Sequence, residues 1–256
     1  MHWLQRSRLV EPYSQLAFIY DFVMRHVDYS AWARYLIRLF SKADVEVKKV
    51  LDISCGTGSL LFELSDLGFC PAGLDRSTHM VQMARKKLGF KGVFAPVWVG
   101  AMERFYVKQP FHAIVCIYDS FNYCLNEAAC QSVFSHVAQA LCPGGLFVFD
   151  VTTTRNSKRY FYNYYDREGT REFEYVRQSY YRVGSRRQIN EFYITWCHDR
   201  TCYKERHQQR IYQLEELRKM LRLNLFEVMG IYSGFSLRPG TEESERVHFV
   251  LKKSAE

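Results

Sequence analysis

Long apolar runs are missing from this sequence of 256 residues. No stretch approaches the roughly 18 consecutive apolar residues that a membrane-spanning helix needs. The first 14 residues, MHWLQRSRLVEPYS, contain no apolar core like that of a secretory signal. Internal repeats and low-complexity linkers are missing as well. We therefore expect a cytoplasmic protein without a membrane partner, built as one large domain or as one domain with an insertion.

The eight cysteines do not form the dense framework of a small secreted protein. They are scattered along the chain, and five lie in or beside apolar segments: Cys55, Cys70, Cys116, Cys124 and Cys142. Reduced, buried thiols are the expected state. The formal net charge of +8 is compatible with affinity for anions or nucleic acid, and equally with solubility alone, so its location matters more than its sum.

Apolar residues at helical spacing over residues 13–40 predict two consecutive helices. Short apolar strands then alternate with helical patterns. This alternation predicts a parallel sheet that is covered by helices on both faces. The predicted strands are residues 50–53, 70–75, 93–99, 113–118 and 145–151, and the predicted helices are residues 59–67, 77–88 and 127–141.

The pattern changes after Val151. Residues 155–187 are dense in tyrosine and arginine, and the apolar spacing shortens from about residue 171 to residue 211. Residues 184–185 and 199–200 are typical of hairpin turns, so we expect an antiparallel insertion of two or three strands. A helix over 213–223 and strands over 225–232 and 246–253 complete the predicted sheet.

The stretch LDISCGTG, residues 51–58, ends the first predicted strand in a turn of small residues. Ligands of open parallel sheets bind beyond the carboxyl ends of the strands, and Gly56 and Gly58 let the backbone approach a ligand closely because they have no Cβ. A dinucleotide site would have a third glycine where Leu61 stands. Asp75, at the end of the second strand, can accept hydrogen bonds from both ribose hydroxyls. A site that binds the ribose of a nucleoside but lacks the glycine pattern of a pyrophosphate site indicates S-adenosylmethionine as the ligand.

Three motifs resemble those of class I S-adenosylmethionine-dependent methyltransferases: DISCGTG (52–58), LDRSTHM (74–80) and LCPGGL (141–146). Further segments are similar to the branch of glycine and sugar-amine N-methyltransferases and to related bacterial enzymes: YSQLAFIYD (13–21), YDSFN (118–122) and FVFDV (147–151). The resemblance covers nearly the whole chain. It implies an α/β fold with a Rossmann-like doubly wound sheet, mostly parallel with the last strand antiparallel, an N-terminal helical lid, and an antiparallel β insertion after the fifth strand.

The resemblance also implies which residues contact the cofactor. Asp75 would hold the ribose. Asp52, from its position just before the glycine turn, fits a role in supporting the turn or in reaching the amino acid end of the ligand through water. The residues implied for the methionine part and its amino acid end are Ser54, Gly56, Gly58, Ile117 and Ser120. Those implied for the adenine are Arg76, Met80, Ala101 and Met102. Ala101 stands where the family often has an acidic side chain, and His112 replaces a frequent aspartate.

Aromatic faces near the sulfonium can stabilise its charge. Tyr13, Tyr20 from the predicted lid, and Trp32 are the candidates. Plain helix packing is the alternative for Trp32.

The stretch 203–211 alternates between two faces. One face has Tyr203, Glu205, His207, Gln209 and Ile211, and the other, expected in water, has Lys204, Arg206, Gln208 and Arg210. If residues 199–200 form a two-residue turn, Glu205 pairs with Ile194 and His207 with Phe192. An aromatic face with a glutamate and a histidine is costly to bury without purpose. We predict that His207 is the general base and that Glu205 orients the acceptor, with an exposed sheet and an incidental histidine as the alternative.

Two other site types are disfavoured. Cys197, His198, Cys202 and His207 do not have the spacing of a zinc site, and their alternating faces prevent convergence, so we expect no metal. The Arg/Tyr-rich run 155–187 could be a nucleic-acid surface. Acidic residues interrupt that run, which favours a solvated lid or a pocket for an anionic small molecule.

The leading hypothesis is an S-adenosylmethionine-dependent methyltransferase that acts on a small polar acceptor, with an amine nitrogen favoured over a hydroxyl. An RNA or nucleoside methyltransferase and a non-catalytic protein that binds S-adenosylmethionine are the alternatives. The predicted organisation is a helical lid (1–47), a Rossmann-like cofactor-binding domain (48–152 and 211–256) and an acceptor-binding antiparallel β insertion (153–210). Both a monomer and a homodimer are compatible with the sequence.

Overall fold

A computed structural model describes residues 7–221 and 226–254. The strands are β1 (Arg8–Val10), β2 (Lys49–Asp52), β3 (Cys70–Asp75), β4 (Val97–Val99), β5 (Phe111–Cys116), β6 (Leu141–Thr152), β7 (Asn163–Gly169), β8 (Phe173–Arg182), β9 (Arg187–Trp196), β10 (Cys202–Arg210), β11 (Phe226–Ser233) and β12 (Arg246–Lys253). The helices are α1 (Leu16–Val23), α2 (Tyr29–Phe40), α3 (Ser59–Asp66), α4 (Thr78–Phe90), α5 (Glu127–Ala140), α6 (Thr154–Tyr160) and α7 (Leu214–Leu221), with a short 3-10 helix at Ser120–Tyr123. None of the described helices is both long and apolar enough to span a membrane.

Seven strands form a central sheet in the order β11-β12-β6-β5-β2-β3-β4. The strands from β6 to β4 are parallel to one another, whereas β12 is antiparallel to both β6 and β11. The chain leaves β2 toward β3 on one side and later adds β5 on the other, so the strand order switches at β2. Ligands of such sheets bind at this switch point. The predicted doubly wound, mostly parallel fold is confirmed.

The central strands are apolar on both faces because helices cover both sides of the sheet. Val50 of β2 packs in one cluster with Leu36 of α2 and residues of α3. Leu51, the next residue, packs in the opposite cluster with Phe134 of α5 and Leu217 of α7. This double burial fixes the carboxyl end of β2, where the glycine turn begins.

A second sheet has the order β1-β10-β9-β8-β7. Strands β7 to β10 are antiparallel, and β1 runs parallel to β10 along the edge. The sequence pattern did not predict β1, α6 or β7. Strand β1 is only three residues long, and β7 lies at the other edge of the sheet with most of its side chains in solvent, so neither strand has a clear apolar alternation.

The predicted register of the β9–β10 hairpin is wrong. Residues 197–201 form the loop, so Glu205 lies opposite Phe192, and His207 lies opposite Asn190. This pairing is shifted by two positions from the predicted one. Since side chains alternate with a period of two, the shift keeps the same residues on the same face. Glu205, His207 and Gln209 are all buried on that face.

Each N-terminal helix packs on a different sheet. Leu16 and Ile19 of α1 pack against Tyr175 and Phe192 of the second sheet, whereas α2 packs on the central sheet. A cluster of polar side chains also ties α1 to the glycine turn, since Asp21 accepts hydrogen bonds from Thr57 (2.6 Å) and Lys87 (2.7 Å). Helix α1 therefore bridges the two sheets above the switch point.

Element ends differ from the prediction in places. The strand predicted over 93–99 is shorter because the turn after α4 occupies its first residues. The helix predicted over 213–223 is described as far as Leu221. Its last two residues, and the first residue of the strand predicted over 225–232, lie outside the described residues.

Candidate functional site

Two carboxylates hold the turn that follows β2. Asp52 Oδ1 accepts a hydrogen bond from the Ser54 backbone N–H at 3.0 Å. Asp75 Oδ2 accepts from the Gly56 N–H at 2.9 Å, and Asp75 Oδ1 accepts from the Ser77 N–H at 2.8 Å. An ionised carboxylate has about four acceptor positions, so Asp75 can still accept hydrogen bonds from a ligand.

The two glycines of the turn both have left-handed backbone angles, φ +52° at Gly56 and +80° at Gly58. A Cβ at Gly58 would lie 3.2 Å from the Cβ of Ala84, so this glycine lets α3 begin directly against α4. A Cβ at Gly56 would lie 3.9 Å from Tyr20 Cε1. Gly56 thus leaves an open surface below α1.

A cavity of about 620 Å³ lies over the ends of β2 and β3, within the range that small-molecule sites usually have. We call it the large cavity. The sequence-predicted cofactor residues that line it are Tyr20, Ser54, Gly56, Asp75, Arg76, Met80, Met102 and Ser120. Arg206 and Gln208, which were expected to face only water, line it as well.

Five sequence-predicted cofactor residues do not line the large cavity: Trp32, Asp52, Gly58, Ala101 and Ile117. Asp52 and Gly58 shape the turn from behind, and Ala101 adjoins Met102. Ile117 is buried in the central core. Trp32 packs edge-on against Phe235, with ring centroids 4.8 Å apart. Trp32 therefore has the contacts of plain helix packing.

Burial makes ionisation of the two turn carboxylates costly. It raises the pKa of Asp52 to about 7, against the opposing effect of the hydrogen bond from Ser54. It also raises the pKa of Asp75, which the hydrogen bonds from Ser77 and Gly56 oppose. A positively charged group bound nearby would favour the ionised form of both.

A second cavity of about 180 Å³ adjoins the large one, and we call it the small cavity. Four residues line both cavities: Tyr13, Tyr20, Ser120 and Tyr123. We call these four residues the junction. The remaining walls of the small cavity include polar side chains of the second sheet, His207 and Gln209 among them. The junction is therefore where a group in one cavity meets a group in the other.

A chain of hydrogen bonds leads from the junction into the second sheet. The Tyr13 and Tyr123 hydroxyls are 2.7 Å apart. The Tyr123 hydroxyl lies 3.1 Å from His207 Nδ1, and His207 Nε2 lies 3.1 Å from Glu205 Oε2. His207 is 2% exposed and Glu205 is fully buried, so water does not compete for these bonds.

Glu205 does not occupy the position expected of an acceptor-orienting residue, because it lines neither cavity. Its two oxygens accept hydrogen bonds from the backbone N–H groups of Tyr13 (2.6 Å), Gln15 (2.6 Å) and Leu16 (2.9 Å). Burial raises the pKa of Glu205, but the hydrogen bonds from His207 and from the backbone lower it below its ordinary value. The charged carboxylate therefore caps the start of α1 and supports His207.

Sequence reasoning missed the loop between β5 and α5 as a structural network. Tyr118 and Asp119 both have positive φ, +61° and +54°, a costly backbone conformation for such residues. Gln209 donates a hydrogen bond to Asp119 at 2.7 Å, and Arg246 pairs with Asp119 at 2.7 Å. These contacts hold the loop so that Tyr123 faces the junction. In the sequence, the only signal for the role of Tyr123 at the junction is its position directly after the YDSFN motif.

Comparisons with known proteins agree with this geometry. A family model described as a methyltransferase domain matches residues 50–145. A protein of Geobacillus sp. (strain WCH70), provisionally named as a methyltransferase, is 28% identical over 94% of this chain and 99% of its own length. The dTDP-3-amino-3,4,6-trideoxy-alpha-D-glucopyranose N,N-dimethyltransferase of Streptomyces venezuelae is 30% identical over 52% of this chain and 55% of its own length.

A comparison with solved structures also covers nearly the whole chain. The crystal structure of an S-adenosylmethionine-dependent methyltransferase from Clostridium acetobutylicum ATCC 824 matches with a TM-score of 0.80 at 22% identity, over 94% of this chain and 99% of that one. At this identity the match shows a shared fold. The matched domain and the methyltransferase relatives show that the chain carries a methyltransferase domain, at residues 50–145.

Proposed function

We propose that this methyltransferase transfers the methyl group to the nitrogen of a small polar amine. S-adenosylmethionine supplies a methyl group on a sulfonium that is a good leaving group, so the protein mainly has to align the partners and exclude water. The observation that carries the proposal is the junction. It joins a cavity with the cofactor motifs to a small polar cavity with a supported histidine.

The large cavity fits the cofactor. Asp75 faces it with free acceptor positions for ribose hydroxyls, and Met80 and Met102 offer apolar surface to an adenine. Gly56 leaves room for the methionine part. Tyr13 and Tyr20 are the aromatic rings at the junction, where they can stabilise a positive sulfonium.

His207 and Tyr123 supply a route for a proton. An amine is mostly an ammonium ion at neutral pH and must lose a proton before it can attack. If His207 Nε2–H donates to Glu205, the other ring nitrogen Nδ1 is free to accept from Tyr123. The Tyr123 hydroxyl can then pass its proton to Nδ1 while it takes one from the ammonium. The imidazolium that forms is paired with the Glu205 carboxylate.

The volume of the small cavity supports a small acceptor. At about 180 Å³ it is below the roughly 300–1,000 Å³ of sites for drug-sized ligands. It can hold a small amine, or the amino end of a larger molecule. The N,N-dimethyltransferase name of the Streptomyces venezuelae relative supports nitrogen as the acceptor atom.

The test is transfer of a labelled methyl group to panels of amines, amino acids, amino sugars, alcohols and RNA. We expect turnover with small amines. Because general acid–base catalysis contributes typically 10²–10⁴-fold, Tyr123→Phe and His207→Gln should each lower kcat by about 100-fold or more. The cofactor Kd should stay unchanged in both variants. Tyr165→Phe, at a tyrosine that is 59% exposed on β7, is the matched control.

Three outcomes would overturn the proposal. Transfer only to RNA would assign a nucleic-acid methyltransferase. Cofactor binding without transfer to any acceptor would assign a binding protein. Full turnover in both variants would remove His207 and Tyr123 from the reaction.

A further inference from the structure

The small cavity has one cation that no described carboxylate neutralises. Its lining includes two arginines, Arg177 and Arg246, and one carboxylate, Asp119. Arg246 is paired with Asp119 at 2.7 Å and with the buried Asp150 behind the wall. Over residues 7–221 and 226–254, no carboxylate oxygen lies within 4.0 Å of the Arg177 guanidinium.

Two carboxylates on the neighbouring strand β7 have other partners. Asp166 lies opposite Arg177 on β7, but it accepts a hydrogen bond from the Tyr175 hydroxyl at 2.9 Å. Glu168, two residues further along the same strand, pairs with Arg25. The charge of Arg177 is therefore available to a molecule in the small cavity.

The guanidinium of Arg177 is held in one orientation. Its Nε donates to Ser179 Oγ at 3.2 Å, and its Nη2 donates to Asn190 Oδ1 at 3.0 Å. It also lies 5.1 Å from the ring centroid of Phe161 and 5.5 Å from that of Phe192. A guanidinium has five N–H donors, so these contacts fix it and leave donors free. A fixed planar fork is suited to donating two parallel hydrogen bonds to a carboxylate or a phosphate.

Arg177 lies in the same cavity wall as the side chains proposed to carry the proton. It lines the small cavity together with Tyr123 and His207. Burial raises the pKa of Tyr123, and the positive charge of Arg177 opposes that rise. A ligand that fills the small cavity would therefore meet Arg177 and the Tyr123 hydroxyl at once.

We propose that Arg177 binds an anionic group of the acceptor, a carboxylate or a phosphate, so that the substrates are small amines that carry an acid group. This inference rests on the proposed function. The amine lies at the junction beside Tyr123, and the acid group lies against Arg177. Uncharged amines lack the second contact and bind more weakly.

The experiment separates binding from turnover. Wild type, Arg177→Lys, Arg177→Gln and the control Arg182→Gln are each saturated with S-adenosylhomocysteine and titrated at constant ionic strength. The probes are propionate, its uncharged analogue propionamide, and inorganic phosphate. Arg182 is an exposed arginine on the same strand, so its variant makes the same change of charge outside the cavity. Cofactor affinity, measured separately, should be equal in all four proteins.

We expect wild type to bind propionate or phosphate and to discriminate against propionamide. The stronger of the two anions identifies the acid group. Arg177→Gln should lose about tenfold or more in anion affinity, the equivalent of about 1.4 kcal/mol. Arg177→Lys should keep part of it, and Arg182→Gln should match wild type. The inference would be overturned if wild type bound neither propionate nor phosphate more tightly than propionamide, or if anion binding were unchanged in Arg177→Gln.

A turnover assay on the same proteins then distinguishes the two proposals. If amino acids are methylated faster than their amides by wild type, and Arg177→Gln loses this preference, both proposals stand. If no amine is methylated although the anion binds at Arg177, the proposed function fails and the anion site stands.

Discussion

The two cavities that meet at the junction are built in different ways. Main chain shapes the large cavity, through the turn with Gly56 and Gly58 and through carboxylates that bind nearby amides. Side chains from distant parts of the sequence shape the small one. Glu205 binds the backbone at residues 13–16, and Arg246 binds Asp119 across 127 positions.

This difference separates the large cavity, which is shaped by a main-chain turn of the fold, from the small cavity, which depends on particular side chains of this sequence. A main-chain turn needs only glycines and a carboxylate at fixed spacing, so we expect it to tolerate substitutions in the rest of the sequence. A buried side-chain network needs every partner, because a polar group left without one costs free energy in the folded state. We therefore expect the small cavity to be more sensitive to substitution than the large cavity, and we expect it to set the specificity for the acceptor.

The strongest test of this comparison is Glu205→Gln. The amide NH₂ of glutamine would face donors, either the backbone N–H groups at residues 13–16 or His207 Nε2. Removal of one member of a buried charged network typically costs about 3–5 kcal/mol. We expect the free energy of unfolding to fall by about that amount at neutral pH, and kcat to fall further than stability explains because His207 loses its support.

The measurements are denaturant unfolding and the pH profile of kcat. Glu174→Gln is the control, since the exposed ion pair of Glu174 with Arg167 should contribute about 0–1 kcal/mol. An equal loss of stability in both variants would show that the buried network is no more sensitive than the surface. An unchanged pH profile would mean that Glu205 does not position the base.

The next largest effect is expected at Asp75, which lines the large cavity. In Asp75→Ala the cofactor loses one or two charge-assisted hydrogen bonds, each worth about 1.5–3 kcal/mol. The cofactor Kd should therefore rise by tenfold or more, while the fold persists. Calorimetry with S-adenosylmethionine measures this, with Asp66→Ala on the exposed end of α3 as the control. If both variants bind like wild type, Asp75 does not hold the ribose.

The same difference explains how far the sequence alone could lead. The motifs at Gly56 and Asp75 specify local backbone, so their position at the large cavity follows from the strand ends that they occupy. Alternation along β10 placed Glu205 and His207 on one face. The partners of Glu205, at residues 13–16, are about 190 positions away, and no local pattern indicates them.

The register of the β9–β10 hairpin and the surroundings of Trp32 both depend on packing that no local pattern indicates. The pair Asp199–Arg200 is compatible both with a two-residue turn and with part of a longer loop, and only the packed sheet decides between them. Trp32 has the residue type of a cofactor contact, but its helix packs on the central sheet and turns the ring toward Phe235. Long-range packing therefore limits prediction in both cases.

The smallest expected effect concerns Asp52, which supports the glycine turn from behind. Burial raises its pKa to about 7 in the folded protein, whereas an unfolded aspartate titrates near 3.8. The folded state thus binds the proton more tightly. The stability linked to this proton is complete below the unfolded pKa and is lost as the pH rises through 7.

From pH 5.5 to 8 the ionisation of Asp52 should cost about 2 kcal/mol of unfolding free energy, at 1.36 kcal/mol per pKa unit. Asp52→Asn keeps a carbonyl oxygen for the Ser54 N–H and cannot ionise, so its stability should fall less over this range. Thermal unfolding at both pH values measures the difference, with Asp66→Asn as the exposed control. If the unfolding free energy of Asp52→Asn and of wild type depended on pH in the same way, ionisation of Asp52 would have no cost in stability. The hydrogen bond from the Ser54 main chain would then be enough to stabilise a buried negative charge behind the glycine turn.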